Sequence, residues 1–138
     1  MAESTNHARL VEVLADFAKD SFQACGHYAL YVDKVSLDRQ ECPPYVEGHV
    51  PDLLIRDVPQ TRIMIGEAKT TKDLESEHSQ LQIRAFLKYL QNTPNSSFVL
   101  CVPLAARATA RTILKQIIDS FPDNQTQILV LDPSGKAI

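Results

Sequence analysis

Asp52, Glu67 and Lys69 combine residue types and spacing that suit chemistry on a phosphate group. The segment Ile63-Met-Ile-Gly-Glu67-Ala-Lys69 reads as a strand, so Ile63, Ile65, Glu67 and Lys69 share one face. Along that face the pattern changes from apolar to an acid and a base two residues apart. On the opposite face Gly66 and Ala68 are small enough for a helix to pack closely. Charges at the end of a buried apolar strand are costly unless paired, hydrogen-bonded or bound to metal. Asp52 stands likewise where His49-Val-Pro-Asp52-Leu-Leu-Ile turns apolar. A hairpin between the two strands brings Asp52 level with Glu67. Two carboxylates and a lysine converging there suit a hard cation such as Mg²⁺, with the lysine orienting a water and offsetting charge on a phosphate. The other reading of the three residues is a structural ion pair on an edge strand.

The elements that must position these residues follow from periodicity. Leu10, Val11, Val13, Leu14, Phe17 and Ala18 recur at helical spacing, with Ser4 or Asn6 as cap and Gly26 as stop. Tyr28 to Val35 reads as a strand, and 36–48, with Pro43-Pro44, as a loop. His49–Arg56 and Arg62–Lys69 read as strands joined by five residues, a connection short enough to predict an antiparallel hairpin. A second helix is predicted from about Glu75 to Gln91, burying Leu81, Ile83, Phe86, Leu87 and Leu90. Ser97–Val102 reads as a strand buried on both faces, Leu104–Phe121 as a helix and Gln127–Leu131 as a last strand. The order αβββαβαβ predicts an α/β fold over residues 1–138, a single domain whose mixed sheet is flanked by helices on both faces.

Composition narrows the function classes. The 138 residues hold 14 Lys and Arg against 17 Asp and Glu, a net charge of −3 that excludes a strongly basic coat for nucleic acid. The excess of acid is local: residues 1–48 carry eight acids and four bases, and 49–138 carry nine and ten. With 44% hydrophobic and 22% charged residues the chain is ordinary globular protein. The longest apolar run, Phe98 to Ala106, is broken by Pro103 and far shorter than the roughly 20 residues of a membrane span. Cys25, Cys42 and Cys101 are odd in number and widely spaced, and the four histidines show no zinc-ligand spacing. A reduced, cytoplasmic protein without a leader is expected.

Pro51-Asp52, fourteen intervening residues and then Glu67-Ala68-Lys69 resemble the PD-(D/E)xK nuclease signature, on the αβββαβ order that this superfamily uses. The likeness runs from the first helix to the strand at Phe98, with a helix and strand added after it. It implies a restriction-endonuclease-like core, Asp52 and Glu67 as ligands of Mg²⁺ or Mn²⁺ together with the Ala68 main-chain carbonyl, and Lys69 beside the attacking water. Gly48-His-Val-Pro-Asp52, the Gly66–Thr70 string and the glutamines Gln80 and Gln82 on the next helix look like RecB-type nuclease motifs. The small domain looks more like a Holliday-junction resolvase or a compact restriction-type endonuclease. Those resolvases carry a first-helix glutamate as an extra ligand, for which Glu12 is nearest, although it lies almost opposite the Leu10/Leu14/Phe17 stripe. RecB-type enzymes can use a histidine there, and His7 faces the apolar side.

Further candidates accompany this set. Gln80 or Gln82 can position phosphate or water, or be ordinary polar positions of an amphipathic helix. His49, three residues before Asp52, is close enough in sequence to touch the site. Thr70, Thr71 and Lys72 follow the strand at once and suit contacts to a nucleic-acid backbone. Arg107, Arg111 and Lys115 form a stripe at i, i+4, i+8 that can grip phosphates or simply snorkel along a solvated face. The expected function is a Mg²⁺- or Mn²⁺-dependent nuclease cutting DNA phosphodiester bonds, endonucleolytically, and leaving a 5′-phosphate. Its expected partners are DNA and a second copy of the chain, because so small a domain has little surface for a duplex. No membrane is expected, and a separate targeting partner is left open. The rival readings are a nuclease-fold binding or assembly subunit with a weak or silent site, and a small module for another anion.

Overall fold

Helix α1, Thr5–Phe22, forms because Leu10, Val11, Leu14, Ala15, Ala18 and Phe22 recur three and four residues apart, and all are buried. A 3₁₀ turn at Gln23–Cys25 ends it, and Gly26 at φ 79° turns the chain into β1, Tyr28–Val32, so the glycine stop holds. Asn6 lies inside the helix and is not its cap; Ser4 lies outside the described residues. The computed structural model describes residues 5–33, 42–58 and 60–138. Of the first strand's expected extension to Val35, Asp33 is described and is not strand, while Lys34 and Val35, with residues 36–41 of the expected loop, also lie outside them.

Strands β2, Leu53–Asp57, and β3, Ile63–Ala68, form the expected antiparallel hairpin. Asp57 organises its turn: its carboxylate accepts the Arg62 N–H at 2.8 Å and the Thr61 hydroxyl. The first of the two is shorter than predicted, since His49–Asp52 is not strand. Pro51 has no N–H to pair, and Val46–His49 makes its own tight turn, with Glu47 at φ 51° and Gly48 at φ 83°. Beyond β3 the chain first makes a short helix that the sequence pattern does not predict, α2, Thr71–Leu74, capped by Thr70; the second helix expected from about Glu75 to Gln91 is α3, Glu77–Leu90, capped by Ser76. Leu81 is 52% exposed and does not join the core, which takes Ile83, Phe86, Leu87 and Leu90. Strand β4, Ser96–Cys101, is buried along its whole length as expected. A 3₁₀ turn at Leu104–Ala106 leads into α4, Arg107–Ile118, and β5 spans Gln127–Leu131.

The sheet order is β1-β2-β3-β4-β5, antiparallel through the first three strands and parallel from β3 to β5. Two successive parallel crossovers advancing in one direction put α3 and α4 on the same face, which leaves the other face to α1. Each strand therefore feeds two cores. Leu54, Ile63, Ile65, Phe98 and Leu100 pack under α3 and α4, and Leu53, Ile55, Met64, Ala68 and Val99 pack under α1. The C-terminal residues fold back along the outer edge of β5, where the Ile138 N–H donates to the Val130 carbonyl at 2.9 Å. No described helix is long and apolar enough to cross a membrane.

At Gly66 the helix α1 packs closely on the sheet. A Cβ there would stand 3.2 Å from Leu14 Cδ2 and 3.4 Å from Leu53 Cβ. Gly66→Val is therefore expected to lower stability by about 1–3 kcal/mol, the usual cost of overpacking. Chemical denaturation would read this as a lower midpoint, and an unchanged midpoint would show that α1 can move away freely.

Candidate active site at the ends of two strands

The β2–β3 register pairs Leu53 with Gly66, so Asp52 falls level with Glu67 one residue beyond the ladder. Side chains continue the ladder there. The Asp52 N–H donates to Glu67 Oε1 at 2.8 Å, and the Ala68 N–H donates to Asp52 Oδ2 at 2.8 Å. Two further elements reach in. From α1, His7 Nε2 lies 3.3 Å from Asp52 Oδ2. From the other face of the sheet, Gln82 Oε1 on α3 accepts a hydrogen bond from Lys69 Nζ at 2.7 Å, and Lys69 Nζ lies 3.3 Å from Glu67 Oε2. Five side chains from four elements thus form one connected polar network.

Electrostatics set this cluster apart from a surface ion pair. Glu67 is 2% exposed and Lys69 8%. Burial, with the neighbouring Asp52 charge added, pushes the Glu67 carboxyl from 4.5 up to about 8; Lys69 and the Asp52 N–H offset only part of this. Two carboxylates at adjacent strand ends, one of them opposed to ionisation by burial, form an arrangement that a divalent cation relieves. Among the described residues no three His, Cys, Asp or Glu side chains converge as a ligand set. A cation held by Asp52 and Glu67 would complete its shell from main-chain oxygen and water, which suits Mg²⁺. The Ala68 carbonyl fits that role, because strand geometry directs it to the same side as the N–H that reaches Asp52.

The remaining candidates divide. Gln82 is in the network, whereas Gln80 Nε2 turns to the Leu74 carbonyl at 3.4 Å. Glu12 sits on the exposed side of α1, and His7, in phase with Leu10 and Leu14, is the helix residue that meets Asp52. His49 packs by its ring on His78 and Phe86 of α3, with centroids 5.9 and 6.2 Å apart. The Thr70 hydroxyl accepts the Asp73 N–H as the α2 cap, while Thr71 and Lys72 are exposed beside it. Arg107, Arg111 and Lys115 are all exposed. Arg107 starts α4 at the carboxylate end of the sheet, and Lys115 lies about 12 Å further along the helix, toward the opposite end.

His7 braces the Asp52 carboxylate from α1; in metal sites the loss of such a supporting contact costs about 10–100-fold in affinity or activity. His7→Ala is expected to weaken Mn²⁺ binding, read by calorimetry, within that range, and Glu12→Ala to leave it unchanged. The reverse ranking would assign the helix's contribution to Glu12.

Comparison of the chain with known protein families, with curated proteins and with solved structures found no match to any of them.

Proposed function

We propose that this protein is a divalent-metal-dependent nuclease that hydrolyses DNA phosphodiester bonds, built on a restriction-endonuclease-like core. The observation that carries this reading is the convergence of Asp52 and Glu67 at one end of an antiparallel pair, with Lys69 two residues on and fixed by Gln82. A divalent cation, when bound, supplies positive charge that polarises the scissile phosphate and stabilises the leaving oxygen. Asp52 and Glu67 would hold it, and the backbone N–H bonds to these carboxylates fix their rotamers. Lys69, held by Gln82 against drifting fully onto Glu67, orients the attacking water and offsets charge building on the phosphate. The water oxygen bonds to phosphorus as the P–O3′ bond breaks; O3′ leaves with a proton as a 3′-hydroxyl, and the phosphate stays on the 5′ end of the downstream fragment. One site cuts one strand, so a double-strand break takes two copies of the chain.

The test incubates purified protein with supercoiled plasmid, linear duplex, single strands and a four-way junction in Mg²⁺ or Mn²⁺, beside Asp52→Ala and Lys69→Ala. Metal-dependent cleavage lost in both variants is the expected result. DNA binding without cleavage would favour a silent, nuclease-fold binding subunit. Cleavage that survives both substitutions would overturn the assignment of these residues.

A further inference from the structure

On the α1 side of the carboxylates the fold leaves a cleft of about 430 Å³. Leu10, Pro103 and Pro133 give it apolar walls, and its polar side carries Asn6 and Arg9 from α1 with Thr70, Thr71 and Lys72 at the start of α2. The cleft adjoins the candidate site through the chain itself. Asn6 and Arg9 flank His7, whose ring reaches Asp52, and Lys72 follows Lys69 by three residues. Arg9 and Lys72 are exposed, and neither forms a salt bridge with a described residue. Both cations line the cleft without an ion-pair partner among the described residues.

Size and lining together restrict the occupant. The volume lies in the range of small-molecule pockets, enough for one nucleotide and far too little for a duplex. Cations on the rim recognise phosphate, which any DNA offers. The apolar walls ask for something more, the face of a base or a sugar. In a continuous duplex the bases are stacked inside and cannot enter a concave pocket, so a base reaching these walls must be unpaired or turned out. We infer that this cleft holds one unstacked nucleotide next to the scissile phosphate, and that the substrate is DNA that is single-stranded, frayed or branched at that position. The placement of the scissile phosphate rests on the nuclease reading given above; the binding preference does not.

Binding is measured without hydrolysis, in EDTA, by fluorescence anisotropy of a labelled oligothymidylate and of a blunt duplex of equal length. The single strand is expected to bind about tenfold more tightly, equivalent to 1.4 kcal/mol. Arg9→Ala and Lys72→Ala are each expected to take about 0.7 from the slope of log K against log salt for the single strand. Thr71→Trp, which fills the cleft from an exposed position, is expected to remove the preference for the single strand. Deoxythymidine 5′-monophosphate should shift the amide resonances of Asn6, Arg9, Leu10 and Lys72, and inorganic phosphate should shift those of Arg9 and Lys72. Equal affinity for strand and duplex, unaltered salt slopes, or a preference that survives Thr71→Trp would overturn the inference. Cleft binding with no cleavage of any substrate in Mg²⁺ or Mn²⁺ would instead refute the nuclease reading and leave the nucleotide site standing. Fast cleavage of continuous duplex, unaffected by Thr71→Trp, would do the opposite.

Discussion

Glu67→Gln is expected to reduce metal-dependent DNA hydrolysis by at least about 10²–10³-fold, the scale on which removing one electrostatic contact to a transition state is felt. The amide keeps the size of the acid and can still accept the Asp52 N–H, but it brings no negative charge to a cation. Without metal the substitution should be mild. Burial and Asp52 already push the Glu67 carboxyl to about 8, so at neutral pH it is mostly protonated and Gln copies its neutral form. The amide Nε2 would face Lys69 Nζ, a donor against a donor where the acid accepts, so the melting temperature in EDTA is expected to fall modestly, and circular dichroism on the variant separates lost activity from unfolding. Lys69→Ala provides the contrast. It should lose hydrolysis by about 10²–10⁴-fold, the range for a group that assists proton movement, while retaining Mn²⁺ binding. Glu67→Gln should lose both. Cleavage at the wild-type rate by Glu67→Gln would remove Glu67 from the site.

Why the carboxylate pair was legible in the sequence and its helpers only partly so comes down to how local each constraint is. Five residues between two apolar strands leave almost no freedom, so the hairpin and its register follow from chain length alone, and with them the level of Asp52 against Glu67. Alternation in β3 likewise separates Gly66, under α1, from Glu67 and Lys69. His7 was readable through its spacing from Leu10 and Leu14, because a helix stripe already committed to the sheet carries its first polar member to the strand end. The choice between Gln80 and Gln82 depended instead on the phase of α3. Counting Leu81 as buried places the two glutamines symmetrically about it. The observed phase, with Leu81 exposed and Ile83 and Phe86 inside, turns Gln82 toward Lys69. That phase is set by packing against Phe98 and Leu100, contacts far apart in sequence. The late start of β2 is a local matter: Pro51 and the Glu47-Gly48 turn carry the signal.

Raising the pH from 5 to 9 is expected to destabilise the metal-free protein, and Mg²⁺ or Mn²⁺ is expected to flatten that dependence. Glu67 titrates near 4.5 when unfolded and at about 8 when folded. Between those values the folded state holds the extra proton. The stability this contributes is full below 4.5, falls by up to about 1.4 kcal/mol per pH unit through the window, and is gone once the pH passes 8. The other displaced groups act outside that range. Asp57 is held low mainly by the Thr61 hydroxyl and Asp132 mainly by the Ser134 hydroxyl, so their contributions are present above 3.8 and fade only in acid. Burial pushes the Cys101 thiol from 9.0 up to about 12, so its effect begins above the window. A cation binds the ionised carboxylate, so below pH 8 its uptake releases about one proton, and its stabilisation grows as the pH rises. Melting curves from pH 5 to 9 with and without Mn²⁺ measure the slopes, and titration calorimetry in two buffers of different ionisation enthalpy counts the proton. Glu67→Gln should abolish both the metal-free slope and the proton release. Metal stabilisation that is independent of pH, or proton release that persists in Glu67→Gln, would place the cation somewhere other than on this buried carboxyl.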